Sequence, residues 1–461
     1  MNKIIITFIV IIIFNNCYAN TNYNNTNIEN NTILLVSIPL IFIICYILIA
    51  LEEKIKIKKS TISIFFATIM WIMITYLTQK SENSSVINFK IYEVLHKYCE
   101  LLIFLLITIT YINVIKKTDI INTIRNKIAQ NNISYKKIYW ITGFLAFFIS
   151  PIADNLTTAL FASSILLSME NKDTKFLNLA TINIVIASNA GGVFSPFGDI
   201  TTLMIWQNNL VSTKSFIYTF LPSFINFIIP ATIINKHIEN KILIVENKKI
   251  NIENKNYIII PLLFITTIIM TTTIQIYLKI PAIIGMLLGF SLLEIFEKIN
   301  NFKNKKKINI HAEIKRIDWD TLLFFIGIML CIGALSIIGV LEKISIYIYK
   351  DMLENTHIET KYIIANTIIG ILSAIIDNIP ITYALIEMNP SMPEYQWLTL
   401  TLAIGTGGSI LSIGSAAGIA LMGTMNGKYT FMSHLKWSWS ILLGYIISIL
   451  TQVLINKHFL M

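Results

Sequence analysis

The sequence predicts an all-α, polytopic membrane fold built as inverted-topology repeats, with two re-entrant helical hairpins and two broken transmembrane helices. Of its 461 residues 55% are hydrophobic and only 13% are charged, about half the charged share of a soluble domain. Apolar runs of about 18 or more residues recur along the chain, each long enough to cross a hydrocarbon core of about 30 Å. One acidic motif also occurs twice, as "ISPIADNLTTAL" (149–160) and "LSAIIDNIPITYAL" (372–385).

Residues 1–19 have a basic start, a short apolar stretch and a small residue at Ala19. They read as a signal peptide, or as a first membrane helix. The Asn-rich segment 20–31 lies outside in either case. N-terminal transmembrane helices fill 32–90, with spans at 33–51 and 61–79. The first repeat covers 91–235: a span at 91–115, a hairpin at 138–170, a broken helix at 176–206 and a span at 216–235. A charge-rich cytoplasmic linker, 236–256, leads to a transmembrane pair and a basic loop in 257–319. The second repeat, 320–456, has a hairpin at 361–388 and a broken helix at 397–424 between spans at 320–341 and 431–456.

The net charge is +10, but Lys and Arg concentrate in short loops such as "KIKIKK" (54–59) and "KNKKKINIHAEIKR" (303–316). That bias sets membrane orientation; it argues for a bilayer partner and against nucleic acid. The four cysteines, Cys17, Cys45, Cys99 and Cys331, form no CxxC or Cys/His spacing, so neither a disulfide framework nor a zinc site is expected. No phosphate loop, nucleophile elbow or HExxH occurs. The expectation is a protein that is not an enzyme and carries no cofactor.

The segment 138–170 is too long for one span, and the loops on either side of it, one strongly basic, both read as cytoplasmic. A hairpin with its tip at Ser150–Asn155 satisfies both facts. Non-helical backbone at membrane depth is tolerated only where it is buried in protein or lines a cavity. The second motif enters from the other side. Ser150, Asp154 and Asn155 align with Ser373, Asp377 and Asn378 at one offset, since 377 − 154 is 223. Each copy is followed by a glycine-interrupted span, in which Gly191 and Gly192 align with Gly407 and Gly408. Paired broken segments in two halves point to a transporter binding site near the midplane.

An aspartate at the centre of a membrane helix costs about 2.5–3.5 kcal/mol on insertion scales. A protonated or lysine-paired acid is the bland account, but no Lys or Arg lies in a mid-membrane stretch suited to pair with Asp154 or Asp377. Cation coordination is the alternative: hard cations take oxygen ligands, and the tips and breaks are rich in them. The candidates are Ser150, Asp154, Asn155 and Thr157, then Asn189, Asp199, Thr201 and Thr202. The second half supplies Ser373, Asp377, Asn378, Ser412 and Ser415. For Na+ itself the proposed core is Asp154, Asn155, Asp377 and Asn378. An isolated Ser or Thr can instead bond its own helix backbone, and for Thr157 the two accounts are evenly matched. Burial raises a carboxylate's proton affinity and a bound cation lowers it. Proton and cation therefore compete for one group, which is the chemistry of an antiporter; an anion would be repelled. Glu100, at i+4 from His96, reads either as a second proton carrier or hairpin brace, or as part of an interfacial polar cluster.

These motifs, "SPIADNLTTAL", "SNAGGVFSPFGDITTLMIW", "IIDNIPITYALIEM" and "GTGGSILSIGSAAG", resemble those of the NhaD-type sodium/proton antiporters of the ion transporter superfamily, over roughly residues 90–456. The resemblance implies efflux of Na+ and Li+ in exchange for H+, a multi-pass location in the bacterial inner membrane, and a homodimer with a scaffold and a mobile transport domain. By motif position it carries functional roles onto Glu100, Ser150, Asp154, Asn155, Asn189, Asp199, Thr201, Thr202, Ser373, Asp377, Asn378, Ser412 and Ser415. Arsenite carriers share an acidic tip and are the nearest competitor. A membrane sensor or scaffold that lost transport is the alternative from another class.

Overall fold

The computed structural model describes residues 32–78, 84–118, 133–168, 173–242, 259–303, 309–351, 356–425 and 427–460. The leader at 1–19, the Asn-rich segment and most of the charge-rich linker lie outside the described residues. The described residues are helical, with a single isolated antiparallel bridge between Ser134 and Ile242.

The principal helices are α1 (Thr32–Ala50), α2 (Lys59–Thr78), α3 (Ser84–Lys117), α4 (Tyr135–Ala153), α5 (Asn155–Ser168), α6 (Thr174–Gly192), α7 (Ile200–Gln207) and α8 (Phe220–Asn235). They continue with α9 (Ile259–Leu278), α10 (Ala282–Lys303), α11 (Trp319–Ile337), α12 (Ile358–Leu372), α13 (Asn378–Met388), α14 (Glu394–Gly407), α15 (Ala416–Thr424) and α16 (Ser438–Ile455). Among the described residues six helical stretches are long and apolar enough to cross a membrane: Lys59–Thr78, Ser85–Ile115, Ser215–Asn235, Ile259–Leu278, Trp319–Ile337 and Ser438–His458. Phe65, Ile72, Leu262 and Ile269 are exposed on α2 and α9, a surface suited to lipid and costly in water. The chain is a multi-pass membrane protein.

Each predicted hairpin and broken span is two helices with an interruption. Between α4 and α5 the interruption is Asp154 alone, whose φ of 54° no helix accommodates. Between α6 and α7 it is 193–199, between α12 and α13 it is 373–377, and between α14 and α15 it is 408–415. Side chains restart the helices. Ser134 caps α4 by accepting from Lys137 N, and Asp173 caps α6 by accepting from Phe176 N at 3.0 Å.

The chain divides into two compact units. The first takes Met1–Leu102, Asp318–Ala365 and Thr382–Ser391. In it α2 lies along α11, with Gly327 close against Ser63 and Trp71 Nε1 donating to Leu330 O at 3.0 Å. Helix α3 starts at Ser84 rather than at the expected 91, and the charged residues near its start are paired. Glu387, whose side chain is only 2% exposed, meets Lys90 Nζ at 2.5 Å and Lys97 Nζ at 2.9 Å. Ser336 Oγ donates to it at 3.0 Å, and Glu93 bridges the same two lysines. A buried charge is stable when paired and hydrogen-bonded in this way.

The second unit takes Ile103–Ile317, Asn366–Ile381 and Met392–Met461. Its core runs along α4, α6, α8 and α16, where Phe147 stacks on Phe227 at 5.4 Å between ring centroids. Tyr111 ties α3 to α9 and α10, donating to Gly289 O at 2.6 Å beside Thr267 Oγ1 at 3.0 Å. The first arms of the two broken helices, α6 and α14, are its most enclosed elements. Every residue from Leu179 to Gly192 and from Gln396 to Gly407 is buried. A helix buried on all faces and still carrying Thr181, Asn183, Ser188 and Asn189 places polar groups in the interior, where each needs a partner.

Candidate ion-binding site

The interruptions bring the predicted polar residues together inside the second unit. Asp154 is 8% exposed, and its carboxylate is held by its own helix start. Thr157 N donates to Oδ1 at 2.9 Å and Thr157 Oγ1 to Oδ2 at 2.7 Å. The Thr157 hydroxyl thus bonds the Asp154 carboxylate. The positive φ at Asp154 is a strained conformation of the kind found at functional turns.

Asn155 Nδ2 donates to Asn189 Oδ1 at 3.1 Å. Asn189, at the end of α6, spends no donor on its own helix; its Nδ2 reaches Ser409 Oγ and Ser415 Oγ, each at 3.0 Å. One amide thus joins the first tip to the second break. Ser415 in turn caps α15, accepting from Gly418 N at 3.2 Å.

Asp199 occupies the matching place before α7. It forms a capping box with Thr202, whose Oγ1 accepts from Asp199 N at 3.1 Å and donates to Asp199 O at 2.7 Å. Asp199 is 4% exposed, and its Oδ2 and the Thr201 hydroxyl have no hydrogen-bond partner among the described residues. Buried oxygens of this kind are what a cation would take up. Asp199 lies within electrostatic reach of both Asp154 and Asp377. No three His, Cys, Asp or Glu side chains among the described residues come together as a metal centre. An ion held here would draw on amide, hydroxyl and carbonyl oxygens around the carboxylates.

The two halves repeat the same contacts. Ser150 Oγ donates to Ser188 O at 2.6 Å; Ser373 Oγ donates to Ile404 O at 2.9 Å. Gly191 lies against the Phe147 carbonyl and Gly407 against the Gly370 carbonyl. Gly192 lies against Gly198, and Gly408 against Gly414. The hairpin residues differ by 223, since 373 − 150 and 370 − 147 agree, and the broken-helix residues by 216, since 404 − 188 and 407 − 191 agree. The carbonyls differ in how they are freed. Pro151 has no N–H to offer Phe147 O, whereas Gly370 O accepts the Ser373 hydroxyl at 2.7 Å. Asn378, with its amide nitrogen toward the carbonyls, donates to Gly414 O at 3.0 Å and Ile404 O at 3.3 Å. Asp377 is half-buried at the second tip.

The structure separates the other candidates by role. Ser412, in the second break, bonds Tyr429. Glu100 belongs to the first unit, where it faces His96 Nε2 at 3.6 Å. Sequence reasoning missed Gly405, which lies close to Asp199 Oδ2 and Val193, and the Lys90–Glu387–Lys97 cluster. For that cluster the available signal was three charges at helical spacing, 90, 93 and 97, beside an acid in the apolar run 379–388.

A family model described as a citrate transporter matches residues 46–405. The Na+/H+ antiporter NhaD of Vibrio cholerae is 40% identical over 91% of this chain and 91% of its own length. The protein of the same description from Alkalimonas amylolytica is 37% identical over 90% of this chain and 89% of its own. Sodium/proton antiporter 1 of Arabidopsis thaliana is 29% identical over 84% of this chain and 67% of its own length.

Proposed function

Because this chain belongs to the NhaD-type sodium/proton antiporters of the ion transporter superfamily, we propose that it exchanges cytoplasmic Na+, and Li+, for external H+. The observation that carries the proposal is the joining of the first tip to the second break through Asn189, with Asp154 and Asp377 within electrostatic reach of Asp199. The cation and the proton occupy the same buried carboxylates in turn, so binding one displaces the other. Asp154, Asn155, Asp377 and Asn378 form the core of the Na+ site; Asp199, Asn189, Thr201, Thr202, Ser412 and Ser415 complete it; Ser150 and Ser373 fix each tip to the broken helix beside it.

The architecture we propose is an inverted-topology repeat with re-entrant hairpins at α4–α5 and α12–α13. The matched contacts at constant offsets support the repeat. The basic loops support opposite entry of the hairpins, and interrupted half-helices are the usual frame of a midplane ion site. A homodimer in the bacterial inner membrane completes the reading.

The matching citrate model raises anion transport as a second reading. Three carboxylates around one site oppose it, since a citrate anion would meet like charge. Purified protein in liposomes separates the two: Na+ or Li+ gradients should drive proton movement, and K+ or citrate gradients should not. Citrate flux without cation-driven proton flux would overturn the proposal.

A further inference from the structure

The segment 429–438 grips the second break at three points. His434 Nε2 lies 2.7 Å from Ser409 O. A carbonyl oxygen only accepts, so Nε2 carries the hydrogen. The ring is fully buried and has no acid partner among the described residues, and an imidazolium there would be an uncompensated buried charge. The neutral ring then accepts at Nδ1, and the Tyr429 hydroxyl, 2.9 Å away, is its donor. The Tyr429 oxygen is left to accept, and the Ser412 hydroxyl bonded to it must donate. Ser438 Oγ adds a third hold, donating to Ile410 O at 2.5 Å.

What is gripped is the strained part of the break. Ser412 has a φ of 66°, a left-handed conformation that a non-glycine residue keeps only when its surroundings fix it. Ser409 is bonded at both ends, its carbonyl to His434 and its hydroxyl to Asn189 at 3.0 Å.

We propose that Tyr429 and His434 are positioning residues for the cargo cation. They commit the Ser412 proton to Tyr429, which leaves the Ser412 lone pairs available to the ion, and they hold the Ser409 backbone so that its hydroxyl stays on Asn189. The proposal rests on the reading of 408–415 as part of the ion site. Selectivity between hard cations follows ligand number and cavity size, so this strut sets the discrimination between Na+ and Li+ as well as affinity.

Tyr429→Phe removes one oxygen and keeps the ring. It should raise the Na+ concentration for half-maximal exchange about 30-fold, the equivalent of the two hydrogen bonds that oxygen makes, to His434 and from Ser412. It should also shift the ratio of the Na+ and Li+ values, with a smaller change in maximal rate per inserted molecule. His434→Leu should behave alike, and His434→Gln, which keeps an N–H for Ser409 O, should recover most of the loss. Less inserted protein with unchanged half-maximal concentrations and an unchanged cation ratio would overturn the strut; if His434→Leu fails to insert, Tyr429→Phe decides alone. Asp154→Asn run in parallel keeps the two readings distinct. An inactive Asp154→Asn beside a Tyr429→Phe with wild-type constants overturns the strut and leaves the site. An active Asp154→Asn beside shifted constants in Tyr429→Phe overturns the role of Asp154 and leaves the strut.

Discussion

Asn189 Nδ2 donates to Ser415 Oγ at 3.0 Å, which ties the last turn of α6 to the residue that starts α15. The same nitrogen holds Ser409 and the same amide's oxygen holds Asn155. Asn189→Ala removes three hydrogen bonds in a buried place and leaves two hydroxyls and an amide to find new partners. At about 1 kcal/mol each, the expected rise in the Na+ concentration for half-maximal exchange is about 100-fold. Titrating Na+ against proton release in inverted vesicles measures it, and a wild-type value would remove Asn189 from the site.

Gly191 and Gly407 are places where backbone passes backbone. A Cβ on Gly191 would press on the Phe147 carbonyl, and one on Gly407 on the Gly370 carbonyl and on Ser373 Oγ. In both cases the nearest obstacle is a backbone carbonyl, which cannot swing aside as a flexible side chain can. Gly191→Ala and Gly407→Ala should each lower the melting temperature of the detergent-solubilised protein and abolish exchange. Gly423→Ala, where a Cβ meets nothing within 4 Å, should leave both unchanged.

Glu387 is a buried acid flanked by two lysines. Removing one partner of such a group costs about 3–5 kcal/mol, because it leaves the remaining charges uncompensated. Glu387→Gln should therefore strongly destabilise the protein. The triple change Lys90→Met, Lys97→Met, Glu387→Met should recover much of the loss, since hydrophobic replacement of a whole buried ion pair is often neutral or better. Thermal unfolding followed by tryptophan fluorescence reads both.

Competition at shared carboxylates fixes the direction of the pH dependence. As pH falls, protons occupy the carboxylates and the Na+ needed for half-maximal exchange must rise; as pH rises, it must fall. In the range where the proton is the winning competitor, that concentration should change about tenfold per pH unit, the limit for one proton displaced per cation. A flat profile from acid to alkaline pH would remove the competition.

Much of this was legible in the residues. Asp154 and Asn155 with Asp377 and Asn378 stood out because a charge in an apolar run is costly and the motif repeats. A tip at Ser150–Asn155 and interruptions somewhere within 176–206, 361–388 and 397–424 were expected, and the helices break at 154, 193–199, 373–377 and 408–415. Partner identities were not legible. That Asn189 meets Ser409 and Ser415, and that Glu387 gathers Lys90 and Lys97, depends on contacts between segments up to 297 residues apart. No local period encodes them. The early start of α3, at Ser84 rather than 91, was missed in part because the partner of Lys90, Glu387, lies far along the chain.

The central claim is that a buried carboxylate at the first tip carries the exchanged ions. Asp154→Asn keeps the size of the side chain and a carbonyl oxygen for Thr157, but cannot bind a proton or bring a charge to Na+. Measured as Na+-induced proton release in inverted membrane vesicles, at matched amounts of inserted protein, the variant should show none at any pH. Release at the wild-type rate would contradict the account.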